Sequence, residues 1–454
     1  MFQRWIGNIV FPQWLAGLAV TLLLIELSFM TGWTSPALAR LTDPNSPILL
    51  STNEASWVAS LLNLGRFFGS VVGAVTTEYL GSKKSLLVSL LPIALSWLVM
   101  LFANIVELLY FARILGGLGF GMAFATFPLY LGEISMPEIR GALVSMGFCG
   151  GQLGMVIASL CGSNMSISSS ATMYLIWCLL LMLFYMWLPE SPYYLVMTNN
   201  CEAAKKSINW YRSGNHVDEE LKAVEKFVAC SRIKSFSDKL NDLKKPYVRR
   251  ALFHVIILFF FTQLCGLNSI AFYMETILIR GKSTMLRPAT VVVYSMIASV
   301  FATMVSLILI DRFGRRILFV ASSIGFVCSM FLLSTHFMLL KYDVINIQCL
   351  PVISLILFSA TIYIGFTTVP STILSELFPA NIKCTASCIA SLIGSGTAFL
   401  STKTYQPLVD WIGEAYTFVM YASLVLIMIP YALFIMPETK GKSLLQIQDQ
   451  LTMK

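Results

Sequence analysis

Charged side chains make up only 12% of this 454-residue chain, so the few that recur at fixed spacing are where chemistry is to be sought. Glu133 is followed by Pro137, Ile139 and Arg140, and Glu376 by Pro379, Ile382 and Lys383, an acid and a base at the same interval. The run Asp311-Arg312-Phe313-Gly314-Arg315-Arg316 has a worn counterpart in Glu78-Tyr79-Leu80-Gly81-Ser82-Lys83-Lys84, and Pro189-Glu190-Ser191 is echoed by Pro437-Glu438-Thr439. Acids and bases arranged in this way suit ion pairs that break and reform. No phosphate-cradling glycine loop, metal cluster or nucleophile triad accompanies them, which argues against an enzyme and against a bound metal or cofactor. The echoes keep the same order at an offset of about 230–250 residues, the signature of a chain built from two similar halves.

The elements that carry these residues are membrane spans. A chain that is 57% hydrophobic and carries so few charges is not a soluble domain. Apolar stretches of spanning length fall near 14–38, 54–79, 85–103, 107–133, 140–162 and 172–189, and again near 251–279, 288–310, 316–340, 349–375, 384–403 and 412–436. With both ends in the cytosol, most of the 31 Lys and Arg fall on the cytosolic side. The net charge of +8 is thereby a topological feature, and nucleic acid is the weaker reading. The ten cysteines are scattered through apolar runs without metal or disulfide spacing. The first apolar segment lacks a small-residue cleavage site and reads as a retained anchor. The expected protein is therefore an all-α membrane protein, with twelve transmembrane helices in two pseudo-symmetric six-helix bundles at residues 1–189 and 251–436. A cytosolic loop, 190–250, joins them, and a cytosolic tail, 437–454, follows. In that loop Asn200 is expected to cap a helix through Tyr211 that stops at Gly214. Asp218 is expected to cap a second through about Arg232, with Ile208, Trp210, Tyr211, Val224, Phe227 and Val228 to bury; a disordered basic linker is the alternative.

Four strings in order carry a resemblance: Pro189-Glu190-Ser191-Pro192, Gln263-Leu264-Cys265-Gly266-Leu267-Asn268, Asp311-Arg312-Phe313-Gly314-Arg315-Arg316 and Pro437-Glu438-Thr439-Lys440-Gly441. Together they resemble the sugar porter family of the major facilitator superfamily over nearly the whole chain. Asn53-Glu54-Ala55-Ser56-Trp57-Val58 and Gly32-Trp33-Thr34-Ser35-Pro36 are similar to insect facilitated trehalose transporters. The resemblance implies a major facilitator fold and a sugar substrate, in a multi-pass protein of the plasma membrane whose surroundings are lipid, with no obligate protein partner evident. It also implies that Gln152, Gln263 and Asn268 hydrogen-bond sugar hydroxyls, since an amide donates and accepts as a hydroxyl does. Thr262 and Ser299 complete the expected substrate set, standing where the family carries glutamine and asparagine. Interhelical hydrogen bonds are the alternative role for the amides. Phe272 and Tyr273 match outer-gate aromatics, although such residues also serve as interface anchors. Ser371, Gly394 and Ala398 replace a tryptophan and two asparagines, so the second-half site is poorer in binding groups.

A rocking carrier needs rigid bundles and breakable ties at one face. Gly116, Gly117, Gly119 and Gly121 are expected to let helices approach closely and slide. Glu133, Arg140, Glu190, Arg315, Arg316, Glu376, Lys383 and Glu438 are expected to form cytosolic ties, the alternative being plain helix-end charges that set topology. Tyr79 and Ser82 stand where the family has arginines, which predicts a looser lock in the first half. Proton-linked relatives carry an aspartate at the level of Thr34, facing the arginine matched by Arg113; because threonine does not titrate, facilitated uniport by alternating access is the expected activity. A transport-dead nutrient receptor is the runner-up. Two further intramembrane charges, Glu26 and Arg66, lie at nearly equal depth by a rise of about 1.5 Å per residue and are expected to pair, a protonated Glu26 being the alternative. Asn164-Met165-Ser166 is a glycosylation sequon in a short connection.

Overall fold

The computed structural model describes residues 11–46, 48–212, 217–232, 245–342, 347–378, 380–440, 442 and 446. The first six spans are α1 (Phe11–Leu41), α2 (Thr52–Leu80), α3 (Ser82–Leu101), α4 (Val106–Ile134), α5 (Pro137–Asn164) and α6 (Ile167–Trp187). Three short helices follow, α7 (Pro192–Met197), α8 (Cys201–Arg212) and α9 (Val217–Arg232). The second set is α10 (Pro246–Arg280), α11 (Pro288–Phe313), α12 (Arg315–Lys341), α13 (Cys349–Leu377), α14 (Ala380–Ile412) and α15 (Glu414–Ile435). Eleven of these segments are long and apolar enough to cross a membrane, and the more polar α14, at 33 residues, is the twelfth. The result is the expected all-α arrangement of two six-helix bundles.

Local chemistry sets the helix ends. Ser51 and Glu54 form a reciprocal capping box at the start of α2, and prolines open α5, α10 and α11, where a missing N–H costs nothing. The tight turns α2–α3 and α11–α12 pivot on Gly81 (φ 88°) and Gly314 (φ 90°), values that a side chain would strain, and they occupy equivalent places in the two halves. Spans near the middle of the molecule are interrupted. α1 changes course at Trp33, α10 breaks at Cys265 and a left-handed Gly266, and α13 carries a π-helical turn over Ile362–Phe366. Within the first bundle α2 and α4 touch backbone to backbone: a Cβ on Gly117 would lie 2.2 Å from the Leu62 carbonyl oxygen. The close approach expected of Gly117 and Gly121 is present between α2 and α4.

Three helices lie between the bundles among the described residues, and they are docked. Asn200 caps α8, its Oδ1 accepting from the Ala203 N–H at 3.2 Å. Tyr211 of α8 is buried against the first bundle, where its hydroxyl meets Tyr130 and the Pro189 carbonyl, both at 2.9 Å. α9 runs over Val217–Arg232, so the chain is already helical at Val217, before the expected cap. Asp218 therefore sits inside the helix rather than capping it, and pairs with Lys205 of α8 at 2.6 Å. Gly214 lies outside the described residues, as does the Phe227 side chain.

Candidate substrate path and bundle interface

The charged echoes make two equivalent networks, each inside its own bundle. In the second half Arg315 Nη2 meets Glu376 Oε1 at 2.7 Å, and Thr439 Oγ1 donates to the other oxygen of Glu376. Glu438 accepts the backbone N–H groups of Arg315 and Arg316 at 3.2 and 3.0 Å, while the Arg316 side chain donates to the Met436 carbonyl. In the first half Ser82 stands in the place of Arg315 and donates to Glu133 Oε2 at 2.6 Å, and Glu190 accepts from the backbone of Lys83 and Lys84 at 2.9 and 3.1 Å. These residues were expected to form breakable ties on the cytosolic face, and in this form each described contact binds helices of the same bundle. Arg140 is exposed, with no side-chain partner among the described residues, and the Lys383 side chain lies outside them.

The paired carboxyls at the ends of the spans differ electrostatically. Burial pushes the Glu190 carboxyl above the ordinary 4.5, against the opposing pull of backbone donors and Lys83. Burial also acts on Glu438, but four backbone N–H groups, those of Lys440, Arg316, Arg315 and Thr439, outweigh it and hold that carboxyl below 4.5. Linkage then assigns opposite signs. Stability from Glu438 is complete above about pH 4.5 and fades as pH falls below it. The penalty from Glu190 is complete above its raised value and is relieved as pH falls towards 4.5. Thermal melts of the purified protein across pH are expected to show that Glu438→Gln blunts the acid-side loss below 4.5, whereas Glu190→Gln flattens the slope just above 4.5. Identical profiles for the two variants would contradict this assignment.

Between the bundles the contacts are polar and, apart from one lysine, neutral. Gln152 of α5 accepts a hydrogen bond from Ser299 of α11 at 2.9 Å. Tyr363 of α13 reaches Met155 of α5, hydroxyl to sulfur, at 3.7 Å, and the Glu275 N–H of α10 donates to Ser35 of α1 at 3.1 Å. Along α2 and α14, Ser70 meets Ser391 at 2.7 Å, Asn63 donates to Thr402 at 3.2 Å and Ser56 donates to the Lys403 carbonyl at 3.2 Å. Lys403 Nζ lies 4.0 Å from the Trp57 ring centroid and 3.0 Å from Asn53 Oδ1. These contacts run from the middle of the helices to the face away from α7–α9, so that face is closed. Ser56, Asn63 and Ser70 recur every seventh residue, a polar stripe on an apolar helix that would have marked the interface in the sequence.

The expected substrate residues divide. Asn268 and Gln263 flank the break in α10, with the Asn268 amide donating to Gln263 Oε1 at 2.5 Å. Thr262 instead turns its hydroxyl to the Leu258 carbonyl at 2.7 Å and is buried. Phe272 and Tyr273 are buried, and Tyr273 packs on Tyr405 of its own bundle at 4.8 Å. Gly394 and Gly396 lie close to Phe259 and Phe67, where a Cβ would stand 3.3 and 3.5 Å from the rings.

The expected ion pair between Glu26 and Arg66 does not form. Glu26 is 0% exposed, and accepts from Trp97 Nε1 at 2.7 Å. Arg66 donates to Asn63 Oδ1 at 3.2 Å, with its guanidinium 4.4 Å from the Phe120 centroid. The two side chains meet different partners, Trp97 for Glu26 and Asn63 and Phe120 for Arg66. Arg113 donates to the Met30 carbonyl at 2.8 Å, the Val58 carbonyl at 3.0 Å and Thr34 Oγ1 at 2.7 Å.

Residues 18–451 match the family model described as "Sugar (and other) transporter". The chain belongs to that family. This transporter is 30% identical over 449 residues to a facilitated trehalose transporter of Polypedilum vanderplanki, covering 97% of this chain and 88% of the relative. It is 29% identical over 446 residues to that of Aedes aegypti, of which it spans only 55% of the length while 97% of this chain is matched. The inward open form of the xylose transporter XylE from E. coli superposes with a TM-score of 0.80 at 18% identity, over 96% of this chain and 99% of that one. The fold of the transporter is thus that of the major facilitator superfamily, and it belongs among the sugar porters.

Proposed function

We propose that the chain is a passive uniporter of trehalose or a related saccharide in the plasma membrane, with both termini and α7–α9 in the cytosol. The observation that carries this reading is the inter-bundle contact between Gln152 and Ser299, two polar side chains meeting midway along facing spans. A solute hydroxyl can replace either partner, so binding and separation of the bundles compete for the same groups. Gln263 and Asn268 offer a second amide pair at the break in α10. Uniport is supported by Arg113, which meets the hydroxyl of Thr34 rather than a carboxylate. The closed far face corresponds to a carrier open towards the cytosol, and Glu133, Glu376 and their partners act by keeping each bundle rigid while it rocks. Relatives named as facilitated trehalose transporters make trehalose the first solute to test.

Uptake of labelled trehalose, glucose and polyols into proteoliposomes tests the proposal. Equilibration without accumulation, unaffected by a protonophore, is expected. Gln152→Ala and Gln263→Ala are each expected to raise the half-saturating concentration about two- to tenfold, the worth of one hydrogen bond. Accumulation that collapses with the protonophore would refute uniport, and unchanged kinetics in both variants would remove the assigned site.

A further inference from the structure

We propose that Arg66 binds a single negative charge on the solute, so that the saccharide this chain handles best is an acidic one of the uronate type; this rests on the transport reading above. Arg66 is the central residue of α2, equally far from Thr52 and Leu80, where an unneutralised cation is most costly. Its neighbours on the same helix face, Asn63 and Ser70, both reach across to α14, and Phe67 packs beside Gly396 of α14. Arg66 therefore stands at the seam of the two bundles and not towards lipid.

Its partners there are neutral. Nη1 donates to Asn63 Oδ1, and the guanidinium plane lies against Phe120 of α4. Among the described residues no carboxylate comes within ion-pair distance, and Glu26 is engaged with Trp97. Arg113 differs in this respect, since it is 0% exposed and spends its donors on three acceptors. Arg66 is only half-buried and makes one side-chain hydrogen bond, which leaves most of a five-donor fork free. That fork matches a carboxylate in shape, and two parallel N–H donors bind it more tightly than they bind a hydroxyl. One cation neutralises one anion. A phosphate dianion would retain uncompensated charge at midplane, so a carboxylate is the better complement. Asn63, which holds both Arg66 and Thr402, orients the guanidinium, while the amides of Gln152, Gln263 and Asn268 remain for hydroxyls.

The test is competition against labelled trehalose uptake in proteoliposomes by glucuronate, glucose, glucosamine and glucose 6-phosphate at neutral pH. Glucuronate is expected to inhibit at concentrations at least about tenfold below glucose, with glucosamine the weakest. Arg66→Gln is expected to bring the glucuronate-to-glucose ratio close to one, and Arg66→Lys to retain part of it. Equal inhibition by the three unphosphorylated sugars, or a preference that survives Arg66→Gln, overturns the assignment; strongest inhibition by glucose 6-phosphate overturns the choice of a monoanion. If no labelled sugar enters, the transport reading fails separately. Thermal stabilisation of the purified protein by the same series then decides, with glucuronate expected above glucose and no difference counting against Arg66. Should Arg66→Gln fail to fold, the charge series on the unaltered protein is sufficient.

Discussion

Glu376→Ala is expected to destabilise the protein by about 3 kcal/mol, and Glu133→Ala, at the equivalent place in the other half, by only about 1 kcal/mol. The difference follows from what each acid leaves behind. Removal of Glu376 takes the ion-pair partner at 2.7 Å from the nearly buried guanidinium of Arg315, which keeps its bond to the Ile310 carbonyl, and takes the acceptor of the Thr439 hydroxyl. Removal of Glu133 strands the hydroxyl of Ser82, a neutral group whose desolvation is far cheaper. The chain thus has one ionic and one neutral clasp. Ser82→Arg is expected to raise the melting temperature by supplying the missing ion pair, and to do so only while Glu133 is present. Melting of the purified protein in detergent measures all of these. Equal losses from the two alanine variants would mean that the charge of Arg315 is neutralised elsewhere, and the asymmetry would have no energetic content.

Arg113→Leu is expected to lose at least about 3 kcal/mol, enough to remove most folded protein from the membrane. The arginine binds three structures at once: the Met30 carbonyl just before the irregular turn at Trp33, the Val58 carbonyl of α2, and the Thr34 hydroxyl. Leucine removes the three donors that join these groups, in a medium that offers no water to replace them. Its guanidinium also lies 5.3 Å from the Trp33 ring centroid, so the loss includes packing. Arg113→Lys keeps the charge but cannot span the three acceptors, and an intermediate yield is expected. The fraction of monodisperse protein after solubilisation reports the result, and a leucine variant that matches the unaltered protein would show that the turn in α1 holds without Arg113.

The existence of each element was legible in the residues. The twelve spans, the repeat of Gly81 by Gly314 and of Glu190 by Glu438, and the capped helix after Asn200 all depend on local composition and spacing, and the structure has them. The family could be read for the same reason, because its strings lie in turns whose geometry is local. Asp218 was misplaced because a helix boundary depends on which neighbour competes for a side chain, and Lys205 took it.

Sequence by itself therefore determined how far along a helix each polar group lies, since rise per residue is nearly constant. Only the tertiary structure decided which direction that group faces and what it meets. Glu26 and Arg66 were expected to lie at nearly the same depth and to pair, yet one faces Trp97 inside the first bundle and the other faces the seam with α14. The same division applies to the clasps, whose acid and base spacing was legible and whose partners in this form, within one bundle among the described residues, were not. Azimuth and helix neighbours come from packing, set by contacts such as Gly117 against Leu62 between residues far apart in the chain, and no local spacing encodes them.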